Sequence, residues 1–340
     1  MTRTFNTAPA ARSQVNMIMG LVGPSSSGKT WTALELATGI QSITGGDIEM
    51  IDTEHERGLF YADQFKFNHT PFPAPFASLD YLSAIHQAAK RAKIVIVDSM
   101  SHEHESEGGM IDYQEAELTR ITRGDDGKRQ AMQMLAWAKP KAARRKLLQG
   151  LTQIDANVIL CFRAKNSSKP GKDANGKSIV IPMGFVPIAG EEFVFESALS
   201  MLFHPNAGGV PVWNPELPGE RIAVKLPKQF EWLKDQHGPI TRQDGARLAE
   251  WARGGASAPK PLKAPQPPSA PPREAIQLDP ATEDWADMFE VEVETCAPAE
   301  CGAKFNAAIK TAEWNALKEG DPERAKSIKA KALERARAVA

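Results

Sequence analysis

The octapeptide Gly23-Pro24-Ser25-Ser26-Ser27-Gly28-Lys29-Thr30 leaves this chain few ways to fold. It fits G-x-x-x-x-G-K-[ST], the phosphate-binding P-loop. Its flanks fit as well: Ile18 to Val22 is a short apolar run with the look of a buried strand, and Trp31 to Ile40 has a helical pattern. The chemistry needs this order. Glycines let the backbone turn tightly, so that successive N–H groups point at phosphate oxygens, and the helix N-terminus adds partial positive charge behind them. Lys29 would reach the outer phosphates of a nucleoside triphosphate, and Thr30 would place its hydroxyl on Mg²⁺. The plainer alternative, a Gly/Ser loop that merely turns a strand into a helix, has to meet every fixed position and both flanks by chance.

Composition constrains the rest. With 42% hydrophobic and 24% charged residues in 340, the chain suits one large α/β domain plus an appendage. A net charge of −1 points to neither nucleic acid nor membrane, so local patches must carry that argument. Three cysteines (Cys161, Cys296 and Cys301) make no disulfide framework and suit a reducing compartment. The first residues lack the apolar core of a secretory signal, and no apolar run approaches the roughly 18 residues that span a bilayer. The expected location is cytoplasmic, in the host cell if the gene is a phage's, with no membrane partner.

Residues 1–14 are small and polar, and are expected to be flexible. Ile48 to Asp52 forms a second strand ending in Asp52-Thr53-Glu54-His55. Ligands of parallel sheets sit beyond the carboxyl ends of the strands, so Asp52 and Glu54 fall near a nucleotide, where a carboxylate could orient or deprotonate water; a solvated turn is the alternative. Pro71 to Pro75 marks a loop, Leu79 to Arg91 an amphipathic helix, and Ile94 to Asp98 an apolar strand delivering an aspartate, the Walker B form that serves Mg²⁺. His102-Glu103-His104-Glu105 lacks a third placed metal ligand and is expected as an exposed loop, with mobile residues over 108–127.

Lys128 to Asp155 is helical in pattern with a break at Pro140, and its Lys139, Lys141, Arg144, Arg145 and Lys146 form a solvated face or a phosphate contact. Asn157 to Phe162 is another strand, ending at Arg163. From Arg163 to Lys177 five basic residues stand against one acidic. That composition suits a flexible loop that contacts DNA through Lys165, Lys169, Lys172 and Lys177, senses a γ-phosphate, or does neither. Ala198 to Phe203 and Arg221 to Leu226 look like strands, and Ile240 to Arg253 like a closing helix. Seven of fifteen residues from Ala258 to Pro272 are proline, the mark of an unfolded linker. Glu274 to Glu300 holds nine acidic residues and no basic one, and with Trp285, Met288 and Phe289 looks like an acidic-aromatic interaction stretch. Phe305 to Ala340 is strongly helix-forming, with a hairpin break at Gly320-Asp321-Pro322.

Three of these motifs together (residues 23–30, Ile51-Asp52-Thr53-Glu54-His55, and Ile94 to Ser99) resemble the RecA recombinase core. Within that group the chain is most similar to small phage ATPases that keep only the core and act with single-strand annealing systems. The resemblance covers about residues 15–253. It implies an α/β, RecA-like P-loop NTPase fold with a central, mostly parallel sheet flanked by helices. The expected organisation is a flexible 1–14, a core over 15–255, a Pro-rich linker over 256–282, and an acidic and helical appendage over 283–340.

The resemblance also assigns roles. Gly23, Pro24, Ser25, Ser26, Ser27, Gly28, Lys29 and Thr30 hold ATP, Thr30 and Asp98 hold Mg²⁺, and Glu54 activates water. Arg163 stands where the family carries a γ-phosphate-sensing glutamine, a departure from its pattern. Lys225 and Lys228 are candidates for the lysines that act across a subunit interface, at a spacing different from the family's. The implied activity is an ATPase stimulated by single-stranded DNA, in recombination or annealing, with self-association into a ring or filament. The alternative is an ATP-switched loader or adaptor that recruits a helicase, single-strand-binding or annealing protein through the C-terminal region. A small-molecule kinase is a third reading, disfavoured by the absence of a lid-like arginine set.

Overall fold

Apolar runs bounded by turn residues become the parallel strands of one sheet. The computed structural model describes residues 15–172, 176–235, 237–254 and 279–337; the expectations for 1–14 and for most of the Pro-rich linker lie outside them. The chain divides into two compact units, Met1–Arg120 with Lys139–Lys260 and Ile121–Ala138 with Pro261–Ala340.

In the first unit the strands are β1 (Ile18–Gly23), β2 (Ile48–Asp52), β3 (Asn68–Pro71), β4 (Ile94–Asp98), β5 (Asn157–Lys172), β6 (Ser178–Pro187) and β7 (Leu199–Leu202). They form a seven-stranded sheet in the order β3-β2-β4-β5-β1-β7, with β6 pairing β5. All neighbours on the main path are parallel. Every residue of β2 and β4 is buried, as expected for a parallel sheet covered on both faces. Successive side chains alternate between two cores. Ile94 and Ile96 pack with Met19, Leu21, Met50 and Ile159 on one face, whereas Val95 and Val97 pack with Val22, Ile51, Val158 and Leu160 on the other.

The first face is covered by α1 (Lys29–Thr44) and the closing α9 (Arg242–Arg253), the second by α2 (Ser78–Arg91) and α6 (Ala138–Leu151). α1 and α9 touch backbone to backbone: a Cβ on Gly39 would lie 1.9 Å from the carbonyl oxygen of Arg242. Beside that contact Glu35 accepts hydrogen bonds from the Arg242 amide (2.8 Å) and guanidinium (2.8 and 3.1 Å). Between the strands in the chain come the short α3 (His102–Glu105), α4 (Met110–Thr122), α7 (Glu192–Glu196) and α8 (Pro218–Ile222), while α5 (Asp126–Met132) belongs to the second unit. With the P-loop at the carboxyl edge of this sheet and helices on both faces, the fold is that of an α/β P-loop NTPase.

Several local expectations fail for identifiable reasons. Residues 108–127 are not a loose stretch, since α4 occupies 13 of them. The stretch at 102–105 is a helical turn rather than an exposed loop: Glu103 is 0% exposed, accepting from Arg144 (2.6 and 3.2 Å) and from Ser78 Oγ (2.5 Å). Arg144 therefore leaves the solvated face of α6, while Lys141, Arg145 and Lys146 stay exposed. Pro140 does not break α6, because it lies in the first turn, where no intrahelical N–H bond is lost.

Residues 163–172 are not a flexible loop either. Past Arg163, β5 leaves the parallel sheet and pairs antiparallel with β6, from Ala164↔Pro187 to Lys172↔Ser178. Arg221 to Leu226 is not a strand: Arg221 lies in α8, and only Lys225 pairs, through an isolated bridge to Ser200.

The second unit carries α10 (Pro280–Thr295), α11 (Pro298–Ala308), α12 (Ala312–Gly320) and α13 (Pro322–Arg337), with the expected break at Gly320-Asp321-Pro322. Its core joins Phe289, Val293, Phe305, Trp314, Leu317 and Ile328, with the rings of Trp285 and Phe289 stacked at 5.2 Å. The acidic-aromatic stretch is therefore a core helix, begun at Pro280 inside the expected linker. Its carboxylates are answered within the unit: Arg324 pairs with Asp287, and Lys331 with Glu290 and Glu294 (2.7 and 2.6 Å). Among the described residues no helix is long and apolar enough to cross a membrane.

Candidate nucleotide site

β1 ends at Gly23 and α1 begins at Lys29, so the P-loop turns between them. Gly28 takes φ 95° at the helix N-cap, where a β-carbon is disfavoured. It is also in close contact: a Cβ there would lie 2.5 Å from the Gly209 nitrogen. Gly209 N–H donates to the Ser27 carbonyl at 3.2 Å, and Gly209 in turn accepts from Ile240 N–H at 3.0 Å. The loop after β7 thus backs the P-loop, a role that the Gly208-Gly209 pair could have signalled in the sequence. Lys29 is buried and donates to the Pro24 carbonyl (2.7 Å) and Ser27 Oγ (3.4 Å). Burial pushes its pKa down, and the nearby Asp98 carboxylate opposes that shift.

Asp98, at the end of β4, accepts from Thr30 Oγ1 at 2.5 Å. Burial raises its pKa, while the Thr30 hydrogen bond and Lys29 pull it down. A hydroxyl and a carboxylate sharing one hydrogen bond on a pocket wall form a hard oxygen donor pair. Such a pair suits Mg²⁺, which takes one or two protein oxygens and completes its shell with water and phosphate. Among the described residues no cluster of three or more His, Cys, Asp or Glu could hold a metal by itself. Thr30 and Asp98 would hold that ion, which would draw charge from the phosphoryl oxygens.

The two carboxylates at the end of β2 separate. Asp52 does not face the pocket, contrary to the expectation from its strand end. Its Oδ1 accepts from Glu54 N–H (2.7 Å), its Oδ2 accepts from Gly58 N–H (2.8 Å), and His69 Nε2 lies 3.1 Å from Oδ2. Asp52 thereby fixes the 3₁₀ turn Arg57–Tyr61 and aims Glu54. Glu54 faces the pocket and accepts from Arg163 Nε and Nη2 at 2.8 and 2.6 Å. That pairing raises the pKa of Arg163.

Together the P-loop, Glu54, Asp98 and Arg163 line a cavity of about 230 Å³. Arg57, Phe60 and Tyr61 complete it, and the sequence reading missed all three. They carry no motif of their own; only the turn that Asp52 builds brings them there. Trp31 packs edge-on to Tyr61 at 6.1 Å. The remaining candidates lie elsewhere. Lys225 donates to the Phe195 carbonyl at 2.6 Å, and Lys228 is exposed at the start of a 3₁₀ turn. Lys165, Lys169, Lys172 and Lys177 are exposed along the β5–β6 hairpin, with Lys165 3.8 Å from Glu105.

No match is found among curated proteins. One similar solved structure is a KaiC-like protein from the hyperthermophilic archaeon Pyrococcus horikoshii OT3, at 14% identity and a TM-score of 0.26, covering 50% of this chain and 79% of that one. The model of the AAA domain family matches residues 15–188, more than half of the chain, and on that match the protein belongs to the AAA domain family.

Proposed function

We propose that this protein binds ATP with Mg²⁺, hydrolyses it, and uses that cycle on single-stranded DNA in recombination or annealing of the phage type, as a self-associating ring or filament. The observation that carries the hydrolytic part is the convergence of the P-loop, the Thr30–Asp98 pair and Glu54 on one cavity. Lys29 would neutralise charge on the outer phosphates, and Glu54 would orient or deprotonate the attacking water. The aromatic pair Phe60 and Tyr61 gives the cavity a face suited to a purine. Arg163 has two uses in this reading, since it holds Glu54 and lines the cavity that a γ-phosphate would enter.

The DNA part is supported by the β5–β6 hairpin. The strand that supplies Arg163 runs on directly into an exposed, lysine-bearing ribbon, a form suited to tracking a phosphate backbone. Lys225 and Lys228 remain candidates for action across a subunit interface.

The test is ATP hydrolysis by the wild type with and without single-stranded DNA, beside Lys29→Ala and Glu54→Gln. Stimulation by DNA that both variants lose is the expected result. Hydrolysis indifferent to DNA would remove the DNA-dependent motor and favour the loader or adaptor. That second reading draws on the separate core of the C-terminal helices, a folded module able to carry a partner surface. Its signature is loss of function in the cell, with ATPase intact, when residues 256–340 are deleted.

A further inference from the structure

His102 lies in α3, just beyond the strand that supplies Asp98, and its ring is buried behind the cavity rather than lining it. One face packs on the Phe76 ring at 5.0 Å. Nδ1 is 2.7 Å from Thr53 Oγ1, and Nε2 is 3.9 Å from Glu54 Oε1. Thr53 is itself anchored: its amide donates to the Asp98 carbonyl at 2.8 Å, and its hydroxyl oxygen accepts from Ser99 N–H at 2.8 Å.

These contacts argue for one placement of the imidazole proton. The single Thr53 hydroxyl hydrogen has two acceptors in reach, the Ser99 carbonyl at 3.0 Å and His102 Nδ1 at 2.7 Å. The Ser99 carbonyl already accepts from Tyr81 Oη at 2.9 Å, so Nδ1 is the acceptor in greater need. With Nδ1 accepting, a neutral ring carries its hydrogen on Nε2, pointing at the Glu54 carboxylate. The opposite tautomer would set a lone pair against that negative charge.

Glu54 is thus bonded by Arg163 on one side and faced by His102 on the other. Arg163 lines the cavity and would be drawn to an incoming phosphate. His102 lies outside the lining and is tied to the backbone through Thr53, so phosphate does not compete for it. We propose that His102 is the positioning residue for Glu54: its Nε2–H keeps the carboxylate aimed at the attacking water once Arg163 turns to the nucleotide. The inference rests on the ATPase reading above. It requires the 3.9 Å separation to close by about 1 Å, into the range of an N–H···O bond, when nucleotide is bound.

Gln and Asn variants separate this role from simple packing. Gln places a donor near the Nε2 position, facing Glu54, whereas Asn places its amide oxygen near Nδ1, as the acceptor for Thr53, and offers Glu54 nothing. His102→Phe keeps the ring against Phe76 and loses both polar contacts. Steady-state ATPase assays on the full chain, with nucleotide affinity as the check on folding, should show kcat reduced about 10- to 100-fold in His102→Asn and His102→Phe, with KM for ATP nearly unchanged. His102→Gln should recover most of kcat. Equal activity in Asn and Gln variants, better rescue by Asn, or a change confined to KM would overturn the proposal while leaving the ATPase reading intact. A wild type that binds ATP without turning it over would overturn both.

Discussion

Asp52 and Asp98 end neighbouring parallel strands and stand directly opposite each other in register. Both are buried. Asp52 spends its oxygens on two backbone amides and lies beside His69, so it builds the turn that carries Glu54, Arg57, Phe60 and Tyr61. Asp98 takes one side-chain hydrogen bond, from Thr30, and keeps the rest of its acceptor capacity toward the cavity. A carboxylate at a strand end is thus marked for location only, and the donors around it decide whether it becomes scaffold or is left open to the cavity. Glu103 is the extreme of the scaffold kind, fully buried and paired with Arg144.

Arg144→Met should show the largest effect, a loss of about 3–5 kcal/mol of stability, because it strands the Glu103 charge in the interior. Chemical denaturation measures it, and a loss below about 1 kcal/mol would remove Glu103 from the scaffold class. Asp98→Asn should lower Mg²⁺-supported ATP hydrolysis by about 10²–10³-fold, read by phosphate release. The same variant should melt no lower than wild type, since it removes a charge that burial disfavours.

Asp52→Asn should do the reverse. Its amide would turn a donor toward one of the two backbone N–H groups, costing about 1–3 kcal/mol in a thermal melt, and activity should fall only as the turn loosens. Equal loss of activity in the two variants, both fully folded, would erase the distinction. The smallest effect is pH dependence on the imidazole side of the same cluster. Burial lowers the pKa of His102 and His104, and Arg144 Nη2 donates to His104 Nδ1 at 3.0 Å. The unfolded chain then binds protons that the folded one refuses. Stability from the neutral rings is complete above the ordinary histidine pKa of about 6.5 and is lost as pH falls below it. Melting temperature should drop from pH 7 toward 5, and His104→Gln should flatten the slope.

What the sequence exposed was local and periodic. Continuous apolar runs announced β1, β2 and β4, fixed spacing announced the P-loop, and the ends of those strands announced Glu54 and Asp98. What it concealed depended on partners far along the chain. Glu103 finds Arg144 41 residues later, so its charge looked like solvent exposure. The charged face of α10 meets that of α13, so an acidic run looked like a surface for another molecule. Arg163 could be placed at a strand end but not beside Glu54, which it meets across 109 residues. The hairpin after it was hidden by its composition, since Gly, Ser and Lys favour a loop until β6 supplies a ladder.

The packing of Gly28 against Gly209 has a consequence for the order in which this protein comes into being. The stretch shared with the AAA domain family ends at residue 188, yet β7, the Gly208-Gly209 support and the α9 helix that closes over α1 all follow it. A ribosome emerging through residue 188 has released every residue of the phosphate-binding motif, but not the backbone that holds it in place. Nucleotide affinity should therefore arrive late in synthesis, with α9. A nascent chain or expression fragment cut at the family boundary would display the motif without owning the site.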